Sequence, residues 1–117
     1  MVTISVCMIV KNEEKVLAGC LDSLEGLWEE LIIVDTGSTD STKEIARKYT
    51  DKVYDFSWTG NFSDARNYSF SLAKGDYIYS ADADEVLDEE NRKKFLILKN
   101  VLTTDSEIEI VQMYYGN

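Results

Sequence analysis

Apolar residues along this chain follow two rhythms in turn, and the alternation sets out its elements. Residues 3–10 form a nearly continuous apolar run with β-branched side chains, the pattern of a strand buried on both faces. Asn12-Glu13-Glu14 then opens a helix. Val16, Leu17, Cys20, Leu21, Leu24 and Leu27 recur at helical spacing and give it one apolar face, with an end near Gly26. Residues 31–34 are a second buried strand, stopped by the turn formers Asp35-Thr36-Gly37-Ser38-Thr39-Asp40, which lead into a helix over residues 42–49. A short strand is predicted over residues 52–56. Asn61 to Asn67 leads a further helix that runs to Lys74 and is closed by Gly75. Residues 77–81 are a strand, residues 89–102 a helix, and residues 108–115 a final strand.

Strands alternating with helices imply right-handed crossovers, a mainly parallel sheet and a three-layer α/β/α sandwich. In such a fold ligands bind beyond the carboxyl ends of the strands. Polar residues collect there: Asn12 and Glu13 after the first strand, Asp35 after the second, and Asp82 and Asp84 after the strand that follows Arg66.

Length and charge narrow the class. The 117 residues make one domain, 1–117, with no linker-like stretch or repeat. A net charge of −10 argues against nucleic acid or an anionic membrane surface as a direct partner, and no apolar run reaches membrane-spanning length. Cys7 and Cys20 lack metal-ligand spacing and read as buried free thiols, in keeping with a cytoplasmic protein. With no histidine, a Ser-His-Asp or Cys-His mechanism is excluded and any general base is a carboxylate.

The sharpest chemical signal is Asp82-Ala83-Asp84. In an extended backbone residues two apart point the same way, so the two carboxylates form half of a shell for Mg²⁺ or Mn²⁺ that substrate phosphates complete. The same residues also suit a turn or cap ahead of Asp88-Glu89-Glu90. Asp35 can accept hydrogen bonds from a nucleobase or ribose, with Gly37 and Ser38 permitting close backbone approach, or can belong to a helix-capping loop. Arg66 offers a planar fork for a diphosphate, or is an ordinary exposed helix arginine. Glu13 is either a ligand contact or a first-turn carboxylate favoured by the helix dipole. No G-x-G-x-x-G follows the first strand and no G-x-x-x-x-G-K-[ST] occurs. Val86 and Leu87 fall where a calcium loop needs an oxygen ligand and a glycine, which excludes an EF-hand. A receiver domain would want an acidic pair where this chain has Lys11-Asn12-Glu13.

Four segments in order, Ser5 to Glu14, Val34 to Asp40, Ala65-Arg66-Asn67 and Ala81 to Glu85, resemble family 2 glycosyltransferases of the GT-A fold. The likeness is nearest to the lipopolysaccharide-core glucosyltransferases of the WaaE type. It implies that Asp82 and Asp84 form the Asp-x-Asp motif that holds a divalent ion on the sugar-nucleotide diphosphate. It also implies that Asp35 lies near the nucleoside, that Asn12 and Glu13 form the loop after the first strand, and that Arg66 is a donor-side arginine. The chain has Ile9 and Lys11 where many members have proline and an aromatic residue, and Thr36 where they have a second aspartate.

The expected activity is metal-dependent, inverting transfer of a sugar from a UDP- or GDP-sugar to a saccharide, lipid-linked or protein acceptor. The family's general base falls beyond Asn117, so the chain reads as the N-terminal, donor-binding part of a longer enzyme, inactive by itself. The expected setting is the cytoplasm, at the inner face of a membrane through regions outside this chain, in the making of a cell-envelope polysaccharide. A non-catalytic nucleotide-sugar binding module and an acidic α/β interaction domain are the competing classes.

Overall fold

The computed structural model describes residues 2–104 and 112–113. The elements run β1 (Ile4–Val10), α1 (Leu17–Leu24), β2 (Glu30–Asp35), α2 (Thr42–Arg47), β3 (Val53–Asp55), α3 (Phe62–Leu72), β4 (Tyr77–Ala81), α4 (Glu89–Thr104) and β5 (Gln112–Met113). All strand pairs are parallel, in the order β3-β2-β1-β4-β5.

The continuous apolar run of β1 is explained by its two faces. Ile4, Val6, Met8 and Val10 pack with Leu17, Leu21 and Phe95 in the larger core, under α1, α2 and α4. Cys7 and partly buried Ile9 face the other way, with Ile32, Val34 and the α3 side chains Tyr68, Phe70 and Leu72. Helices therefore cover both faces, and the three-layer arrangement stands as expected. Gly75 is required by close approach. Its N–H donates to Ser5 Oγ at 2.8 Å, and a Cβ there would meet that oxygen at 2.5 Å.

Chain order places the crevice. From β1 the sheet grows through β2 to β3, and the chain then crosses back to lay β4 on the opposite side of β1. A reversed crossover of the same hand puts α3 on the face opposite α1 and α2. The reversal leaves an opening beyond the carboxyl ends of β1 and β4, where open α/β sheets bind ligands.

Two local expectations are revised. The first helix starts at Leu17 rather than at Asn12-Glu13-Glu14. Asn12 takes a left-handed φ of 53°, which breaks the helical path, and the Val16 and Leu17 N–H groups close a turn on the Glu13 carbonyl at 3.1 and 2.9 Å. The strand ahead of the acidic pair ends at Ala81, and the Glu85 N–H bonds the Asp82 carbonyl at 3.1 Å, so Asp82 to Glu85 is a turn rather than extended backbone. Of the final strand expected over residues 108–115, Gln112–Met113 is described, and the rest lies outside the described residues. Both cysteines are free and buried, as expected, and burial pushes each thiol up to about 12.

Candidate functional site

Beyond the carboxyl end of β4 the turn keeps Ala81 and Ala83 buried and sends Asp82 and Asp84 outward, so the two aspartates share an exposed side even without an extended backbone. Glu85, which the sequence reading placed in the Ala81 to Glu85 segment without giving it a role, joins them. Its carboxyl is pushed up to about 7 by burial, by a hydrogen bond with Asp82, and by the charges of Asp82 and Asp84. Glu13 is raised as well, by burial and then by Asp84, Asp40 and Asp82. The ion pairs among the described residues leave all four of these carboxyls out. Repulsion that raises acid pKa values marks negative charge without compensation, which suits a hard divalent cation.

No three Asp, Glu or Cys groups among the described residues converge into a metal-ligand set. Asp82 and Asp84 could thus anchor Mg²⁺ or Mn²⁺ only with oxygens from a ligand completing the shell, the usual habit of Mg²⁺. The pair itself lines a cavity of about 280 Å³, together with Cys20, Leu24, Tyr79, Glu85 and Asn91 among others. The acidic run continuing into Glu85 was the sequence signal for that residue; nothing marked Asn91.

Asp35 ends β2, two strands from β4, so it lies about 10 Å to the side of the acidic turn at ordinary strand spacing. It is only 2% exposed. Its Oδ1 accepts the Gly37 and Ser38 N–H groups at 2.9 and 2.8 Å, in a loop whose Gly37 has φ 116°, open to glycine without strain. Its Oδ2 is buried without a hydrogen-bond partner, the sole such side-chain atom among the described residues. An unmet buried acceptor costs stability, and carboxylate oxygens are rarely left so. A cavity of about 200 Å³ adjoins it, lined by Gly37, Ser38, Lys43, Asp55 and Phe56 among others. Asp35 is not the cap of α2: the Thr42 N–H donates to Asp40 Oδ1 at 2.9 Å instead.

The charges of Asp82 and Asp84 reach Glu13, and Asp35 ends the strand two places along the sheet from β4. Asn12 lies in the same region, but its Oδ1 is taken by the Thr39 N–H at 2.8 Å. Arg66 stands apart. It projects from α3, on the opposite face from α1, with its guanidinium 5.0 Å from the centre of the Phe62 ring, and it lines neither cavity.

A parallel sheet reversing between its first and fourth strands, with an acidic turn outside the crevice, defines a domain of the GT-A fold, and solved structures of that fold match it. *Staphylococcus aureus* TarS, residues 1–349, aligns at TM-score 0.70 and 26% identity over 86% of this chain and 33% of that one. Glucosyl-3-phosphoglycerate synthase from *Mycobacterium tuberculosis*, solved with Mn²⁺ and UDP-glucose, aligns at TM-score 0.68 and 28% identity over 89% of this chain and 40% of that one. The profile of glycosyl transferase family 2 matches residues 5–115, and the chain belongs to that family. Among its relatives, the prophage-derived glycosyltransferase SunS of *Bacillus subtilis* is 35% identical over 102 residues, 86% of this chain and 24% of SunS. A TPR repeat-containing protein of *Synechococcus elongatus* is 44% identical over 87 residues, 74% of this chain and 22% of that protein. The chain thus spans about a quarter of the length of these two relatives.

Proposed function

We propose that this domain binds the donor in a glycosyltransferase that moves a sugar, with inversion, from a nucleoside diphosphate to an acceptor hydroxyl. The observation that carries the reading is the unpartnered Oδ2 of Asp35, at the end of a strand two places along the sheet from the one that delivers Asp82 and Asp84, which take part in no ion pair among the described residues. A nucleoside diphosphate needs both at once: an acceptor for base or ribose donors, and a cation anchor for its phosphates. Asp35 takes the nucleoside. Asp82 and Asp84 hold Mn²⁺ or Mg²⁺, with Asp82 also on the donor side and Glu13 at the rim. When bound, the ion neutralises charge on the departing diphosphate. The loop of Asn12 belongs to the donor side, and Arg66, which stands apart on α3, is assigned there by the motif set alone. The synthase solved with Mn²⁺ and UDP-glucose supports the choice of ligand.

The acceptor is a saccharide, a lipid-linked sugar or a protein, and the motif set favours the lipopolysaccharide-core branch of the family, which works on cell-envelope glycans at the cytoplasmic face of a membrane. The base that takes the acceptor's proton is assigned to length that the relatives have and this chain does not span. The chain alone is therefore expected to bind donor without transferring sugar at an enzymatic rate. Calorimetry of UDP and GDP with and without Mn²⁺ tests the reading: Mn²⁺-dependent binding is expected, and no binding of either nucleotide would reject it.

A further inference from the structure

We infer that Asn12 is a positioning residue that locks the loop carrying Glu13 against the loop carrying Asp35, an inference that rests on reading these loops as the two halves of one donor site. Its backbone and side chain are both committed to this. The Asn12 N–H donates to Ser38 Oγ at 2.9 Å, and the Asn12 Oδ1 accepts the Thr39 N–H at 2.8 Å. The partner there is a backbone N–H, so the carboxamide presents its oxygen and its orientation is set. Ser38 in turn donates its own N–H to Asp35 Oδ1 at 2.8 Å. A continuous path therefore runs from Asp35 through Ser38 to Asn12, and from there along the chain to Glu13.

The backbone makes the residue type matter. Asn12 sits at φ 53°, a left-handed conformation that Gly, Asn and Asp adopt far more readily than other residues. That turn swings the chain out of β1 so that the next N–H, on Glu13, lands on Thr42 Oγ1 at 2.8 Å. The Glu13 carboxyl then lies within reach of the charges of Asp84, Asp40 and Asp82. Neither the side-chain oxygen nor the left-handed turn could be lost without loosening Glu13 relative to Asp35. Asn12 acts through these loops rather than on the ligand.

Three substitutions separate the contributions. Asn12→Asp keeps the acceptor oxygen and tolerance of the left-handed turn, Asn12→Gly keeps the turn alone, and Asn12→Ala keeps neither. The readouts are UDP affinity with Mn²⁺ and amide hydrogen exchange at Thr39. Asn12→Gly is expected to weaken UDP about five- to tenfold, the worth of one lost hydrogen bond, with exchange at Thr39 accelerated by a similar factor. Asn12→Ala should do more, and Asn12→Asp, whose added negative charge itself opposes a diphosphate, should leave exchange at Thr39 close to that of the unsubstituted protein. Exchange at Thr39 as fast in Asn12→Asp as in Asn12→Gly would overturn the inference. So would a fall in melting temperature with affinity and Thr39 exchange unchanged. Should the unsubstituted protein bind no nucleotide, the donor reading fails separately, and Thr39 exchange still judges the brace: faster exchange in Asn12→Gly supports it, unchanged exchange overturns it.

Discussion

At the amino ends of the strands, Glu29 accepts the Ile4 N–H at 2.8 Å and pairs with Lys99. Glu30 takes the Ser5 hydroxyl and the Lys74 N–H and pairs with Lys52, and Asp76 takes the Thr3 N–H at 2.9 Å. At the carboxyl ends, Glu13, Asp82, Asp84 and Glu85 take part in no ion pair among the described residues, and Asp35 keeps a buried oxygen without a hydrogen-bond partner. The acids respond in opposite directions. Burial works against the charge of Glu30, yet the bonds from Lys52, Lys74 and Ser5 hold it below the usual carboxylate range, while Glu85 is pushed up. Compensated acids at one end help hold the sheet together. Those at the other end lack such partners and leave binding capacity for a ligand, the usual conflict between stability and function.

If that contrast holds, removing an acid at the carboxyl end should cost function and spare stability, and the reverse should hold at the amino end. The largest effect is expected for Asp84→Asn in the full-length transferase, where turnover should fall about 10²–10³-fold, as when a group that stabilises developing charge is removed. The melting temperature of the ligand-free protein should hold or rise. Intact turnover with a lower melting temperature would make Asp84 a mere turn residue and erase the contrast.

Asp35→Asn comes next. It should weaken UDP by about 1.5–3 kcal/mol, the worth of a hydrogen bond to a charged group, without a matching loss of stability in urea. Equal losses in both would return Asp35 to a structural role.

At the amino end, Glu29→Ala leaves Lys99 buried without its partner. Breaking a fully buried pair costs about 3–5 kcal/mol, and since the Glu29 side chain is 35% exposed the loss should be nearer ~1.5 kcal/mol in urea unfolding. UDP affinity should not change; a tenfold drop would show that the two ends are not independent.

The smallest effect is a pH slope. Because Glu30 is held below its usual range, its contribution is present above the ordinary glutamate pKa and is lost as the pH falls through the lowered one. Stability of the unsubstituted protein should fall more steeply on acidification than that of Glu30→Gln. Parallel curves in acid urea titrations would show that the Lys52 pair contributes nothing.

Much of this was legible before any coordinates. The run over residues 3–10 announced a strand covered on both faces, and β1 has helices on both. Tyr77–Ala81 was read with its observed bounds, because a sharp change from Gly75-Asp76 to apolar residues and then to Asp82 leaves little room for slippage. The start of α1 was misread. Asn, Glu and Glu in succession look like a helix start, but Asn12 is bound to Ser38 and Thr39, which lie 26 and 27 residues further along. Local preference gave way to a tertiary contact, as weak propensities do.

The sequence by itself determined the layering of the fold and the supply of carboxylates at strand ends, because the period of apolar residues and the identity of turn formers are local properties. Which carboxylates would meet was decided only in three dimensions. The order β3-β2-β1-β4 sets β1, which leads into Glu13, beside the strand that delivers Asp82 and Asp84, and burial and then their charges raise the Glu13 carboxyl pKa. The Asp35 loop folds on its own amides so that one oxygen is satisfied and the other is not. Charge repulsion and hydrogen-bond satisfaction depend on distances across the crevice, and no spacing along the chain encodes those distances until the sheet has formed.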